Sequence, residues 1–170
     1  METLTLYHFT SAHVLHGIGR HGLTVGDVST DVRKMRGVIG VWLTSSPEPD
    51  GHGLEGSALD KKQYRLTVEL PAEMPTLHRW AEWSSRFVKP ETRSIINNSA
   101  SGWESWYIVL GIVKPAAIVA CLDTRTGELV PEWQKIMTSK SIEISVPPQR
   151  RQAWQKRMIK GVRRELARRS

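Results

Sequence analysis

A chain of 170 residues is long enough for one sizeable core and short for two. Apolar residues make up 39% and charged residues 24%, an ordinary globular balance that excludes global disorder. The net charge of +7 is lopsided: from Arg150 to Ser170 nine basic residues face one acid, Glu165, so this tail carries +8 and the remainder −1, as expected of a near-neutral body whose appendage meets a polyanion.

In chain order, Leu4 to Phe9 reads as a strand by β-propensity and alternation. Thr10 and Ser11 are placed to cap a helix from Ala12 to Arg20 with Val14, Leu15 and Ile18 on its apolar side, and Gly22 ends it in the αL position. A loop of mixed charge follows from Val25 to Arg36. Gly37 to Thr44 is apolar on both faces and is expected as one central strand. Pro47 to Gly56 reads as a flexible loop.

Tyr64 to Leu70 alternates as a third strand, stopped by Pro71. Leu77 to Val88 is a short helix candidate carrying Trp80 and Trp83, and Arg93 to Gly102 a loop. Trp106 to Val113 and Ile118 to Leu122 are two further strands. Asp123 to Gly127 forms a turn, and Thr138 to Pro148 is mostly extended. The spacing of Trp154, Met158, Val162 and Leu166 predicts a terminal helix with one apolar stripe. No internal repeat or linker is visible. The expected organisation is a body over 1–148 and a basic amphipathic helix over 149–170 packed on it.

Several signals lead nowhere. Gly17, Gly19 and Gly22 match the G-x-G-x-x-G dinucleotide pattern, but here it closes a helix, whereas the fingerprint must follow a strand and open one. His13, His16 and His21 lack acidic or cysteine partners at metal spacing, so no metal site is expected. His52 sits in a glycine loop and His78 near a helix start. The single cysteine, Cys121, excludes an internal disulfide and reads as a buried small hydrophobe. The start of the chain lacks a basic region followed by an apolar stretch, and the longest apolar run, Tyr107 to Leu122, is interrupted by Lys114 and Pro115. No membrane partner and a cytoplasmic location are the expectations.

Three features stand together. His8 lies inside the opening strand, followed by Thr10, Ser11 and a helix ending at Gly22 and Leu23. The strand Gly40 to Thr44 runs into Ser45 and Ser46. Glu104 sits at the entrance to the late strand that begins Trp106-Tyr107. This order resembles the ADP-ribosyltransferase superfamily, which includes the diphtheria-toxin-like enzymes, the NAD-using RNA 2′-phosphotransferases and the toxins that ADP-ribosylate DNA. The resemblance covers roughly the first 120 residues by order of elements, with motifs of a few residues each. It implies an α+β fold with a split, mostly antiparallel sheet and flanking helices, and NAD as substrate. Glu104 would stabilise the positive charge that develops on the ribose as nicotinamide leaves. His8 would donate to the other ribose, and Thr10 would meet the nicotinamide amide. Trp42 or Tyr107 would stack on the ring, Thr44 would belong to the second core strand's signature, and Arg65 would suit the pyrophosphate.

For the tail, three readings stay open. Arg150, Arg151, Lys156, Arg157, Lys160, Arg163 and Arg164 either face nucleic-acid phosphates, or lie on an anionic membrane, or only solubilise a helix end. The leading expectation is NAD-dependent transfer of ADP-ribose to a macromolecule, nucleic acid among the candidates. The alternatives are a catalytically silent binder of nucleic acid or nucleoprotein, and an NAD-dependent RNA 2′-phosphotransferase.

Overall fold

The structure, a computed structural model, describes residues 1–55, 59–139 and 146–169, with side chains of the last helix through residue 161. It is an α+β domain, as expected. The opening strand β1 (Thr3–Thr10) leads into helix α1 (Ala12–His21). A hairpin follows, β2 (Asp27–Asp31) and β3 (Arg36–Ile39), then β4 (Val41–Thr44) and β5 (Tyr64–Pro71). Next come β6 (Leu77–Arg79), α2 (Trp80–Phe87), α3 (Pro90–Asn98), β7 (Trp106–Val109), β8 (Ile118–Asp123), β9 (Glu128–Leu129) and α4 (Arg151–Arg169).

Seven strands form one antiparallel sheet in the order β6-β7-β4-β1-β5-β8-β9, and β2 and β3 pair separately. The central seam is thin. β1 and β5 are paired from Thr3–Pro71 through Thr10–Tyr64, whereas β1 and β4 share a single position, Tyr7 opposite Thr44. The sheet is therefore two halves, β6-β7-β4 and β1-β5-β8-β9, joined at one rung.

Two buried clusters form, and the larger one crosses the seam, because Val41 and Leu43 of β4 and Val109 of β7 join it. Alternation on β5 buries Tyr64, Leu66, Val68 and Leu70, which cluster with Leu6 of β1 and with Val14, Leu15 and Ile18 of α1. The other core gathers Trp80, Trp83, Trp106 and Ile108, with Trp42 against them. Trp80 is wholly buried, and its indole N–H is satisfied by Asn97 Oδ1 of α3 at 2.8 Å.

The elements depart from expectation in several places: the stretch from Val25 expected as a loop holds β2, and the strand expected to reach Val113 ends at Val109. Gly37 to Thr44 is not one strand: the chain leaves the hairpin at Gly40 and enters the main sheet as β4. Gly40 N–H donates to the Gly26 carbonyl at 3.1 Å, and a Cβ on Gly26 would lie 2.2 Å from the Gly40 oxygen, so the glycine at 26 permits this close approach. The stretch expected as a loop from Arg93 belongs to α3, which opens with Pro90 in its first turn, where a missing N–H costs nothing. The helix candidate at Leu77 starts as a strand and turns helical at Trp80. Gly22 closes α1 with φ +79° and ψ −165°, a glycine basin other than αL.

Helix α4 is tied to the body at its first turns. Arg151 Nε donates to the Thr24 carbonyl at 2.7 Å and its Nη2 to Gly111 at 3.0 Å. Gln155 Nε2 donates to Gly37 at 3.0 Å. Val162 and Leu166 of the predicted stripe lie outside the described side chains, and most of the extended stretch from Thr138 to Pro148, residues 140–145, lies outside the described residues. Among the described residues no helix is long and apolar enough to cross a membrane.

Candidate functional site

Where β1 and β4 part, a cavity of about 510 Å³ opens. That volume suits a small-molecule or cofactor site. His8, Thr10, Trp42 and Thr44 all line it. They come from two strands that meet only at Tyr7 and Thr44, so one rung of sheet brings the four together.

His8 is half-buried, and its Nδ1 lies 2.9 Å from the Trp42 carbonyl oxygen. A carbonyl only accepts, so Nδ1 carries the proton. Burial holds the ring's pKa below the ordinary histidine range; the Trp42 contact opposes this and the Lys61 charge adds to it. The ring is thus neutral, with Nε2 as an acceptor. A ribose hydroxyl meeting Nε2 would donate to His8, the reverse of the direction expected from the sequence.

Trp42 presents a half-buried ring to the cavity. Its back packs on Trp80, centroids 4.8 Å apart, and on Trp106, 5.4 Å apart and nearly edge-on. Its indole N–H donates to the Asp27 carbonyl at 2.8 Å, which fixes the ring plane. Thr44 is buried. It donates to Ser105 Oγ at 2.8 Å, because that hydroxyl gives its own proton to the Gly102 carbonyl at 2.7 Å.

The remaining expected residues stand elsewhere. Glu104 is exposed on a short 3-10 turn, Trp103–Ser105; its neighbour Ser105 touches Thr44, but Glu104 itself does not line the cavity. Tyr107 alternates to the opposite side of β7 from Trp106 and packs on the β5 core. Arg65 is also outside the cavity. Its guanidinium lies 4.9 Å from the Tyr7 ring centroid and donates to the Pro47 carbonyl at 2.8 Å, while its Nε is buried without a partner.

The cavity recruits residues that sequence patterning did not single out. Asp27 and Ser29 enter from β2, Lys61 from the chain before β5, and Trp154 from α4. His52 closes one wall as a satisfied ring: it accepts from Trp106 Nε1 at 2.9 Å, donates to the Glu48 carbonyl at 3.0 Å and stacks on Phe9. Asp27 lay in the mixed-charge stretch expected as a loop, and no local pattern marks it. Trp154 was visible as part of an apolar stripe.

Of the basic residues assigned to a polyanion, Arg150, Lys156, Arg157 and Lys160 are exposed. Arg151 is not available in the same way, because its guanidinium holds two backbone carbonyls. The side chains of Arg163 and Arg164 lie outside the described set. His13 and His16 bond Thr138 at 2.6 Å and the Gln134 carbonyl at 3.0 Å. Cys121 is buried, its thiol pushed up to about 12 mainly by burial.

No family model matches this chain, and no curated protein matches it. A solved structure titled EcPltA aligns over 85% of this chain and 97% of its own, with 11% identity and a TM-score of 0.43.

Proposed function

We propose that the cavity binds NAD and that the protein transfers ADP-ribose from it to a macromolecule. One observation carries the reading: His8, Thr10, Trp42 and Thr44, picked from separate stretches of sequence, line one cavity at the parting of the half-sheets. The wall chemistry suits such a ligand. Trp42 offers an aromatic face for a flat ring. The neutral His8 ring offers an acceptor to a ribose hydroxyl. Lys61, exposed at the wall, offers a charge to a pyrophosphate. When bound, NAD supplies a glycosidic bond whose leaving group is already cationic; the protein's part is to hold the ribose and to stabilise charge on it.

The test incubates the purified protein with adenylate-labelled NAD and a cell lysate, and divides the product between nuclease and protease. Label lost to one treatment supports the reading and names the acceptor class. His8→Ala should lower the label. Absence of NAD binding in equilibrium dialysis at about 1 mM, the upper end of ordinary substrate affinities, overturns the reading.

A second reading has its own observation. Arg150, Lys156, Arg157 and Lys160 are exposed on and beside one helix, and a binder would use them on nucleic acid without chemistry. Such a protein would keep its affinity for nucleic acid in His8→Ala.

A further inference from the structure

Among the described residues that line the cavity, one side chain is acidic: Asp27, the first residue of β2. Its position is fixed from several sides. Gly26, just before it, is pressed against Gly40. The Trp42 indole holds its carbonyl at 2.8 Å. The Ser29 hydroxyl donates to Oδ2 at 3.2 Å. A Cβ on Gly37 would lie 3.3 Å from Oδ1, so the glycine leaves the carboxylate its room.

No lysine, arginine or histidine forms an ion pair with this carboxylate among the described residues. Other acids of the molecule are paired: Asp50 and Glu55 share Lys62, Asp60 holds Arg125, and Glu91 holds Arg33. A half-buried carboxylate without a cation is costly unless something else supplies the charge. Burial raises its pKa, with the Ser29 hydroxyl opposing. A cationic centre on a ligand in the cavity is the counter-charge that this wall lacks. Glu104, exposed on its turn, is not placed to meet one.

We propose that Asp27, in place of Glu104, is the catalytic carboxylate of this cavity. The proposal rests on the NAD reading and assigns its reacting acid. The bond between C1′ of the ribose and the nicotinamide nitrogen breaks, and its electron pair leaves with the nitrogen, which becomes neutral. Asp27 stabilises the positive charge that grows on the ribose. C1′ then bonds to the acceptor heteroatom, or to water when no acceptor is present. The acceptor's proton passes to Asp27 and on to solvent, so the carboxylate ends as it began.

The experiment measures NAD affinity by equilibrium dialysis and nicotinamide release from labelled NAD, on the full chain and on Asp27→Asn, Asp27→Glu and Glu104→Gln. The expected result is an Asp27→Asn protein with affinity within about 3-fold of wild type and release lowered by about 100-fold or more, partly restored in Asp27→Glu. Glu104→Gln should keep release within about 3-fold. Unchanged release in Asp27→Asn, with release lost in Glu104→Gln, overturns the assignment of Asp27 and leaves the NAD reading standing. Loss of affinity in step with release, unrepaired in Asp27→Glu, overturns the catalytic role and makes Asp27 a structural residue. A wild-type protein that neither binds nor cleaves NAD overturns both readings.

Discussion

The imidazole of His8 takes a carbonyl that the sheet leaves open. Tyr7 stands opposite Thr44, and the same antiparallel register, carried on, would set Phe9 opposite Trp42. The ladder stops first, and His8 Nδ1 holds the Trp42 oxygen at 2.9 Å instead. A side chain thus replaces a rung, and the space it opens is the cavity.

Removing that side chain should loosen the seam. His8→Ala leaves the Trp42 carbonyl without this donor and should cost about 1–3 kcal/mol of stability, read from urea midpoints. His8→Asn keeps a donor near the same place and should cost less. The pH dependence has a definite sign. Burial lowers the folded pKa of His8, so below about pH 6.5 the unfolded chain takes up a proton that the folded one refuses. The contribution is whole above that pH and is lost as pH falls toward the folded value. His52, also lowered mainly by burial, acts with the same sign. The fall in midpoint between about pH 7 and pH 5 should be shallower in His8→Asn than in wild type; equal slopes would show that His8 titrates normally.

Asp27 should behave in the opposite sense. Its folded pKa is raised mainly by burial, so between the ordinary carboxylate value, about 3.9, and the raised one the folded chain binds the extra proton. Stability from this group therefore declines as pH rises through the folded value. Asp27→Asn should raise the melting temperature at pH 7, and the gain should vanish below about pH 4, where both states are protonated. A variant that melts lower than wild type at pH 7 would mean that the carboxylate contributes favourable contacts beyond the Ser29 bond.

Gly26→Ala should be severe for so small a change. The new methyl would lie 2.2 Å from the Gly40 oxygen, which is backbone and cannot turn aside. Overpacking of this kind costs about 1–3 kcal/mol, and here it also displaces Asp27 and the Trp42 ring. Thermal melts should show the loss of stability, and under the proposed NAD reading equilibrium dialysis should show a matching loss of affinity. Melts identical to wild type would mean that the hairpin slides freely on β4.

The basic residues of α4 should separate into two kinds. Arg151→Ala gives up two hydrogen bonds to backbone carbonyls and should cost about 1–2 kcal/mol, discounted because the group is partly exposed. Lys156→Ala, Arg157→Ala and Lys160→Ala, all exposed, should each change stability by less than about 0.5 kcal/mol. If nucleic acid binds this face, each of the three should lower the logarithmic salt slope of binding by about one. A slope that none of them changes would remove α4 from any polyanion interface.

Much of the frame was readable because it is written in local periods. The alternation of Tyr64, Leu66, Val68 and Leu70 gave β5, and the spacing of Val14, Leu15 and Ile18 gave α1. His8, Thr10, Trp42 and Thr44 came from the resemblance, on what are β1 and β4, and all four line the cavity. The failures are all long-range. Gly40 looks like a strand interior until Gly26 is pressed against it, 14 positions earlier in the chain. Asp27 looks like loop charge until Trp42 and Gly37 frame it. Glu104 followed from the order of elements in the resemblance, and it stands exposed on a 3-10 turn. Arg65 was read from alternation and Tyr107 from the resemblance, and neither tells which face of the sheet meets a cavity.

The single rung between Tyr7 and Thr44 also marks where the sheet has least hydrogen bonding to protect it. The larger buried cluster crosses this seam and ties the two half-sheets by side chains, while the ladder there is short. Amide hydrogens along β5 should exchange at the rate of global unfolding, and those of Phe9 and Trp42 much sooner, since cooperative units open where few bonds cross. Opening the seam would widen the cavity only by pulling Val41 and Leu43 away from the cluster they share with Leu6 and Leu66. The seam is thus thin in hydrogen bonds and held by side chains.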